Sequence, residues 1–320
     1  MRIFDRDCSL EKEYMDGTHR SRRPADTLAA YSRWLAPLGI TRLADVTGLD
    51  RVGIPVCLAI RPNSRSLSVS QGKGADKTAA KVSAMMESIE LWHAENIENR
   101  LRLETLYAMR KSCAIVAAEA LPIRAGRVLR DDLPMLWMEG WDLIQQRATW
   151  VPFEYVSMNT LCFSPEMTYC VSSNGLASGN HLLEAIEHAL CELIERDATA
   201  LKHLEPSEEL VRCKVDPASV EDPLCRSFIE RFRAADIEIA IWDITSDISI
   251  PTYEVMVIEP DRPRWRALGQ FSGFGTHPSP NVALSRALTE AAQGRLTIIA
   301  GSRDDNPYKV YAADAAEQRV

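Results

Sequence analysis

The feature that most constrains this chain is one polar spacing that recurs in three strongly apolar segments. In each segment, three polar side chains stand at positions i, i+4 and i+7, which fall on one face of an α-helix. The residues between them are mostly apolar, so the helices should be buried apart from that face. The three sets are Ser83, Glu87 and Glu90; His188, Glu192 and Glu195; and Arg286, Glu290 and Gln293.

A glycine-rich stretch precedes each of these helices and is predicted to form a turn that leads into it. The stretches are 71–74, 173–180 and 273–278. Backbone N–H groups at a helix start attract anions, so such turns suit a phosphate ligand. A flexible turn explains a glycine equally well. No stretch matches the Gly-x4-Gly-Lys-Ser/Thr loop or a dinucleotide-binding fingerprint, so a bound nucleotide requires a less common fold.

The order of the predicted elements indicates an α+β fold in one domain covering residues 1–320. Strand-like runs at 55–60, 66–70, 135–143, 149–156, 237–244, 252–258 and 264–271 alternate irregularly with helices, which disfavours a doubly wound sheet. With 46% hydrophobic residues among 320, the chain has enough apolar side chains for a large core. No low-complexity linker divides it.

Charge and cysteine usage exclude several classes of function. A net charge of -8 opposes sequence-independent binding to nucleic acid, which depends on neutralising phosphates. The eight cysteines include no Cys-x-x-Cys pair, which argues against a zinc site or a disulfide framework. No run of about 18 apolar residues predicts a membrane span, and the charged start does not resemble a signal peptide. We therefore expect a cytoplasmic protein.

The repeated carboxylates point to a cation. For any one helix, a solvated amphipathic face explains the acids equally well. Such a face usually mixes Lys with Glu at i+4 spacing, whereas Glu87 and Glu90 face no cation on their own helix, and no Lys lies between Glu184 and Glu192. Clustered carboxylates suit Mg²⁺, which is commonly shared with nucleotide phosphates. Three cations are available for those phosphates: Lys73, Arg196 and Arg286.

Three blocks of this sequence resemble the nucleotide-binding blocks of the YcaO family. They are SVSQGKGADKTAAKVSAMMESIELWHAE (68–95), SNGLASGNHLLEAIEHALCELIERDA (173–198) and GFGTHPSPNVALSRALTEAAQGRLTIIAGSRDD (273–305). They occur in order with their internal spacings intact, and the resemblance spans roughly residues 16–305. It implies one YcaO-type domain with mixed or antiparallel sheets and three nucleotide-site helices. Family members usually continue beyond 301–305, so a chain ending at Val320 is a natural short form or a truncated one.

The resemblance also implies the roles of individual residues around ATP and Mg²⁺. Some members carry Ser three residues before the position of Asn180, where this chain has Ala177, with Ser178 one place later; the hydroxyl contact there is in doubt. The metal ligands would be Glu87, Glu90, Glu192 and Glu195. Cofactor-binding residues would be Ser83, Asn180, Glu184, Arg196 and Arg286, and residues with a catalytic role would be Arg196, Arg286 and Glu290. Two further cofactor-binding candidates come from the residues themselves: Lys73 from its chemistry, for which a solvated turn lysine is an equal explanation, and Gln293 from the repeated spacing.

The first block resembles most the YcaO subgroup that works beside a TfuA-like partner, for which the expected product is a backbone thioamide. In the related azoline-forming subgroup, a Cys, Ser or Thr side chain attacks the neighbouring amide instead. Both routes convert a poor leaving group, the amide oxygen, into phosphate. No protein nucleophile is required, and none is evident, so a structural or substrate-contacting role is the better interpretation for His188 and His277.

The expected partners are a peptide or protein substrate, a TfuA-like protein and, with no sequence signal of its own, a second copy in a homodimer. Two other functions remain open. A catalytically silent YcaO-like subunit could present a peptide to a partner. An ATP-dependent ligase could join a carboxylate to an amine, since a magnesium-bound carboxylate cluster also suits acyl phosphate formation.

Overall fold

The computed structural model describes residues 2–4, 6–204, 211–260 and 268–305. Its helices are α1 (Pro24–Tyr31), α2 (Lys77–Glu95), α3 (Leu106–Ser112), α4 (Phe153–Val156), α5 (Leu182–Lys202), α6 (Pro223–Ala234) and α7 (Pro280–Ala300). Its strands are β1 (Arg2–Ile3), β2 (Arg6–Asp7), β3 (Arg42–Asp45), β4 (Val56–Ile60), β5 (Val69–Lys73), β6 (Leu101–Thr105), β7 (Pro134–Asp142), β8 (Arg147–Pro152), β9 (Lys214–Val215), β10 (Glu238–Asp243), β11 (Thr252–Ile258) and β12 (Gln270–Thr276).

The strands form small antiparallel sheets, and the predicted α+β fold is confirmed. Two sheets have three strands each, in the orders β3-β4-β5 and β6-β7-β8. A third has four strands in the order β12-β11-β10-β9, and β1 pairs with β2 near the N-terminus. All these pairings are antiparallel. No helix in the described ranges is both long and apolar enough to cross a membrane.

The two faces of sheet β3-β4-β5 are covered by different helices. On one face, Cys57 and Ala59 of β4 pack against Ala80 and Ala84 of α2. On the other face, alternate residues of β4 pack against Leu296 of α7. Successive strand residues point to opposite faces, so β4 can be buried on both sides. α7 also packs with α6 against the four-stranded sheet, in the largest cluster of buried side chains.

Local sequence sets the ends of the three long helices. Asp76 caps α2 by accepting a hydrogen bond from the Ala79 N–H at 2.8 Å. His181 caps α5 through Nδ1, which accepts from the Leu183 N–H at 3.1 Å. α7 begins at Pro280 and ends at Ala300, and the next residue, Gly301, has a φ of 57°, the left-handed conformation that terminates helices.

Two of the three predicted glycine-rich turns are instead strand ends. Residues 71–73 belong to β5 and residues 273–276 to β12, so the turn predictions there were wrong. The physical reason is close packing: a Cβ on Gly72 would lie 2.0 Å from the Ala84 nitrogen, and one on Gly275 would lie 2.1 Å from the Ala283 oxygen. These glycines let a strand touch a helix backbone. The stretch 173–180 is irregular, as predicted.

Three strand boundaries also differ from prediction. The run predicted at 149–156 is β8, which ends at Pro152, because residues 153–156 form the short helix α4. The run predicted at 66–70 is β5, which begins three residues later at Val69 and continues through Lys73. The run predicted at 264–271 is β12, which begins at Gln270, and residues 264–267 lie outside the described residues. The predictions for β5 and β12 ended too early because glycine was assumed to terminate a strand. At these positions, glycine instead permits the strand to continue beneath a helix.

The β5–α2 and β12–α7 units are structural repeats of one another. Gly72 sits against the Ala80 oxygen and the Ala84 nitrogen, and Gly275 sits against the Ala283 oxygen and the Ala287 nitrogen. The same sequence offset relates all three pairs. When the same offset is applied to the rest of α2 and α7, Ser83 is equivalent to Arg286, Glu87 to Glu290, and Glu90 to Gln293. The shared polar spacing therefore reflects a shared strand–helix register.

Candidate functional site

Lys73 links the two repeats across the centre of the site. It is the last residue of β5, and its Nζ forms an ion pair with Oε2 of Glu290 on α7. The other carboxylate oxygen of Glu290 accepts from the Phe274 N–H at 3.3 Å. Burial alone would raise the pKa of Glu290, but the charge and hydrogen bond of Lys73 hold it below its ordinary value. Glu290 is therefore an ionised, anchored carboxylate.

Glu87 occupies the position on α2 that is equivalent to Glu290, but it is less well compensated. Burial raises the pKa of Glu87 to about 7, and the Glu290 charge adds to the shift. Lys73, Arg303 and a hydrogen bond from the Gln71 backbone oppose it only in part. The carboxyl of Glu87 is thus poised between its protonated and ionised forms near neutral pH.

Glu90 lies one turn further along α2 and faces α5. Burial raises the pKa of Glu90 to about 8, and the charges of Glu87 and Glu192 add to the shift. Hydrogen bonding to Ser178, in the loop before α5, acts in the opposite direction. Because their charges perturb one another, the carboxylates of α2 and α5 belong to one electrostatic cluster.

α5 contributes Glu192, Glu195 and Arg196 to the same cluster. Glu192 accepts from the Gly175 N–H at 3.0 Å and from Nη2 of Arg196 at 3.3 Å. Glu195 is buried, and desolvation together with the Glu290 charge raises its pKa. Arg196 is exposed, and its Nη1 lies 3.9 Å from Oε1 of Glu195. α2, α5 and α7 therefore bring five carboxylates within electrostatic reach of one another.

Arg286 contacts His188 across the interface of α7 and α5. Nη2 of Arg286 lies 3.1 Å from Nε2 of His188. Burial and the charges of Arg286 and Arg20 hold the pKa of His188 well below its ordinary value, so the imidazole is neutral and accepts this hydrogen bond. The buried Nε of Arg286 has no hydrogen-bond partner within the described residues. The guanidinium thus keeps donor capacity for a ligand.

Glu184 connects α5 to the N-terminal segment. It is 2% exposed and accepts from the Ser21 N–H at 3.0 Å, the Ser21 hydroxyl at 2.6 Å and Nη1 of Arg20 at 3.3 Å. Asn180 donates to it from the backbone at 3.4 Å and accepts from Thr27 through Oδ1 at 3.1 Å. Burial would raise the pKa of Glu184, but the Ser21 and Arg20 contacts hold it below its ordinary value.

The remaining predicted site residues make fewer contacts. Ser83 and Gln293 are half-buried on α2 and α7, and neither side chain forms a hydrogen bond within the described residues. A pocket opens beside Arg286 between the N-terminal segment and α5, where Arg20, His188 and His277 contribute to its lining. Burial lowers the pKa of His277 to about 3, helped by nearby positive charges, so this ring is also neutral.

The carboxylate cluster is suited to magnesium shared with phosphate rather than to a preformed metal cage. Within the described residues, no group of three or more His, Cys, Asp or Glu is arranged to hold a metal ion. Glu290 is engaged by Lys73, and Glu192 by Arg196 and a backbone N–H. Mg²⁺ usually keeps several waters and takes one or two carboxylates together with phosphate oxygens. The raised pKa values of Glu87 and Glu90 indicate negative charge that a bound cation would compensate.

Sequence reasoning missed several residues of this site. Arg303, which offsets the charge of Glu87, lies inside the third sequence block and could have been considered as a cation there. Ser178 was noted only as a displaced serine. Arg20 and Ser21 reach Glu184 from more than 160 residues away along the chain. No local pattern marks such a contact.

Comparison with known proteins is consistent with this geometry. The family model described as YcaO cyclodehydratase, ATP- and Mg²⁺-binding, matches residues 71–319. An uncharacterized protein in the tfuA 3′ region of Rhizobium leguminosarum bv. trifolii is 40% identical over 94% of this chain and 73% of its own length. This chain spans 65 to 73% of the length of the first three curated relatives.

Two solved structures share the fold. A heterocyclase in complex with substrate and cofactor gives a TM-score of 0.74 at 24% identity, covering 89% of this chain and 41% of that one. The YcaO protein of Methanopyrus kandleri, bound with AMPPCP and Mg²⁺, gives a TM-score of 0.70 at 22% identity, covering 93% and 73%. At these identities the likeness concerns the fold.

Proposed function

The chain belongs to the YcaO family, and on that premise we propose that it binds ATP with Mg²⁺ among α2, α5 and α7 and activates a peptide backbone amide. The observation that carries the proposal is the electrostatic cluster described above. Five carboxylates from three helices perturb one another, and burial raises the pKa of Glu87 to about 7 and that of Glu90 to about 8. An arrangement that leaves such repulsion uncompensated is costly unless a cation binds there.

The carboxylates divide into metal ligands and a positioning group. Glu87, Glu90, Glu192 and Glu195 would hold Mg²⁺. Burial and neighbouring charges raise the pKa of Glu87, Glu90 and Glu195, and Glu192 would join them once the exposed Arg196 turns to a phosphate. Glu290 is already paired with Lys73, so we assign it to positioning that lysine. This division agrees with the pKa directions, which are raised for Glu87, Glu90 and Glu195 and lowered for Glu290.

The cations around the cluster would hold the phosphates. Lys73 presents its ammonium from the end of β5. Nε of Arg286, beside His188, has no hydrogen-bond partner in the part of the chain that the structure describes. A neutral His188 fixes the guanidinium without competing for its anionic ligand. Arg196, which is exposed, can swing from Glu192 to a phosphate oxygen when a metal takes up the carboxylate.

The polar residues around the cluster would orient the nucleotide. Asn180 is held by Thr27 and Glu184, so its amide is fixed in direction. Glu184 contributes indirectly, since its described contacts are to Arg20, Ser21 and Asn180. The side chains of Ser83 and Gln293, which form no hydrogen bonds with other described residues, are available as hydrogen-bonding groups on α2 and α7.

ATP supplies the phosphoryl group that turns the amide oxygen into a phosphate leaving group. The chain's part in that reaction is electrostatic: Lys73, Arg196 and Arg286 stabilise the negative charge on the transferring group, and the carboxylates fix the metal that shares it. Neither His188 nor His277 is assigned as a base, because their lowered pKa values make both rings weak proton acceptors.

We assign a thioamide as the product, made with a TfuA-like partner that delivers sulfide. The support is the 40% identical relative whose name places it in a tfuA 3′ region. An azoline is the second candidate, favoured by the family description as a cyclodehydratase and by the fold shared with a heterocyclase. Nothing in the carboxylate cluster selects sulfide over a side-chain nucleophile, so the product must be measured.

Mass spectrometry of a modified substrate separates the two products. A candidate peptide or protein is incubated with this chain, ATP, Mg²⁺ and sulfide, with and without the TfuA-like protein. Replacing a backbone oxygen by sulfur raises the substrate mass, whereas cyclodehydration lowers it by one water. Water loss that needs neither sulfide nor partner would refute the thioamide assignment and leave amide activation intact.

A further inference from the structure

Strand β6 forms an open edge of the sheet β6-β7-β8. It pairs antiparallel with β7 along its whole length, from Leu101 to Thr105. Within the described ranges no strand or isolated bridge lies on its other side. An open edge presents unpaired N–H and C=O groups, so it can accept another strand.

The outer face of this edge is apolar. Leu101 and Leu103 alternate along β6 and are 38% and 66% exposed. Leu136, which lies opposite Leu103 on β7, is 40% exposed. The inner face is different, because Trp137 packs there with Leu106 and Met109 in a small buried cluster. A strand added beside β6, with leucines on the same face, would pack against the exposed leucines of this outer face.

The inner side of β6 carries two opposite charges, Arg102 and Glu104. Nη1 of Arg102 donates to Sγ of Cys113 at 3.1 Å, and Oε1 of Glu104 accepts from the Thr105 N–H at 2.9 Å. Each side chain can form further hydrogen bonds or ion pairs, since a guanidinium has five N–H donors and a carboxylate has two oxygens. Their spacing of two residues places both on the same face of the strand.

These charges select one register for pairing between two copies of β6. In a two-fold antiparallel pair, opposite residues share a face, so the axis must pass through a residue position. An axis at Arg102 places two arginines opposite each other, and an axis at Glu104 places two glutamates opposite each other. An axis at Leu103 places Arg102 opposite Glu104 of the second copy, twice. Of these three registers, only the one centred on Leu103 is free of like-charge pairs, which are destabilising, and it also pairs all five residues of β6.

We propose that two copies of this chain associate through β6, with the two-fold axis at Leu103, to form a continuous six-stranded antiparallel sheet. Two Arg102–Glu104 ion pairs lie across the axis on the inner face. On the outer face, the Leu103 side chains meet at the axis and Leu101 lies opposite Thr105. The occupant of the edge is a second copy because the charge pattern complements itself; a foreign strand would need to supply that pattern independently.

The charge pattern allows a reversal experiment, read by sedimentation of the full chain over a range of concentrations. The wild type should dimerise. Arg102→Glu and Glu104→Arg should each weaken the dimer at least tenfold, and the double variant should recover to within about threefold of the wild type. An equimolar mixture of the two single variants should form a mixed dimer. Arg147→Glu, an exposed reversal on β8, is the matched control and should have no effect.

Cysteine crosslinking tests the register without changing a charge. Leu103→Cys places two thiols at the axis, so mild oxidation should give a covalent dimer. Leu101→Cys places them far apart and should give little more than the wild type oxidised in parallel. A wild type that stays monomeric would overturn the proposal, because edge charges would then serve only to block pairing. So would a dimer that tolerates both single reversals, or equal crosslinking at positions 101 and 103.

Discussion

Lys73 at the end of β5 pairs with Glu290 on α7, and so joins the two strand–helix repeats at the point where their acidic faces meet. The pairing breaks the symmetry of the repeats. Glu290 has a lowered pKa and a partner, whereas its equivalent, Glu87, has a pKa raised to about 7. The protein itself neutralises Glu290, whereas the charge of Glu87 is only partly compensated, which is the basis for proposing a metal there.

Replacing Lys73 should weaken nucleotide binding. Lys73→Met removes the proposed phosphate ligand and leaves Glu290 and Glu87 without its charge, so we expect at least a tenfold rise in the dissociation constant for ATP with Mg²⁺, measured by calorimetry. Lys77→Met is the matched control, because Lys77 is exposed at the start of α2 and pairs with Asp45 at the surface. Equal binding by the two variants would contradict the role of Lys73.

The two α2 glutamates should make the metal-free protein less stable as pH rises. The folded-state pKa values of Glu87 and Glu90, about 7 and about 8, lie above the ordinary Glu value of 4.5. The folded state therefore binds these protons more tightly, so stability is full below pH 4.5 and falls as pH rises through 7 and 8. Each pKa unit corresponds to about 1.4 kcal/mol, and partial solvent access reduces the effect.

Glu87→Gln and Glu90→Gln should remove that loss. We expect each variant to match the wild type near pH 4 and to exceed its unfolding free energy by about 1 to 2 kcal/mol near pH 8.5, by urea denaturation without metal. Asp197→Asn, exposed on α5, should leave the pH profile unchanged. A large destabilisation by either Gln variant would show that the carboxylates are structural.

His188 should act by positioning Arg286. His188→Leu removes the acceptor for Nη2 of Arg286, so we expect about a tenfold fall in kcat for ATP consumption with substrate, and a smaller change in the KM for ATP. His188→Gln keeps an acceptor and should restore part of the rate. If the leucine and glutamine variants lose activity equally, the hydrogen bond is not what positions the arginine.

Gly72 should tolerate no side chain. Gly72→Ala would bring a Cβ within 2.0 Å of the Ala84 backbone nitrogen, so β5 must move away from α2. We expect a loss of about 3 kcal/mol or more in unfolding free energy, at the upper end of overpacking effects. Gly48→Ala, with nothing within 4 Å of its added Cβ, is the control and should be nearly neutral.

The long helices were predictable from sequence, because the 3.6-residue period of their apolar and polar residues is a local signal that does not depend on tertiary contacts. The apolar periodicity predicts a helix over 78–96, and α2 spans 77–95. The polar faces of α2, α5 and α7 were identified from spacing alone. The three sequence blocks also indicated the family. A domain boundary at 1–320 and the assigned residue roles stay predictions.

Contacts between distant segments were not predictable in the same way. The Lys73–Glu290 ion pair and the Ser21–Glu184 hydrogen bonds depend on tertiary packing that no local pattern encodes. Gly72 and Gly275 were misread for a related reason. A glycine that ends a strand and a glycine that lets a strand pass under a helix look alike until the helix is in place.

The central claim is that the glutamates of α2 and α5 bind Mg²⁺ together with ATP, and calorimetric titration of ATP with and without Mg²⁺ tests it most directly. The wild type should bind ATP only with the metal. Glu90→Gln and Glu192→Gln should each lose at least tenfold in affinity, while Asp197→Asn on the same helix as Glu192 binds like the wild type. Binding that survives removal of Mg²⁺, or Glu variants that bind as tightly as the wild type, would contradict the account.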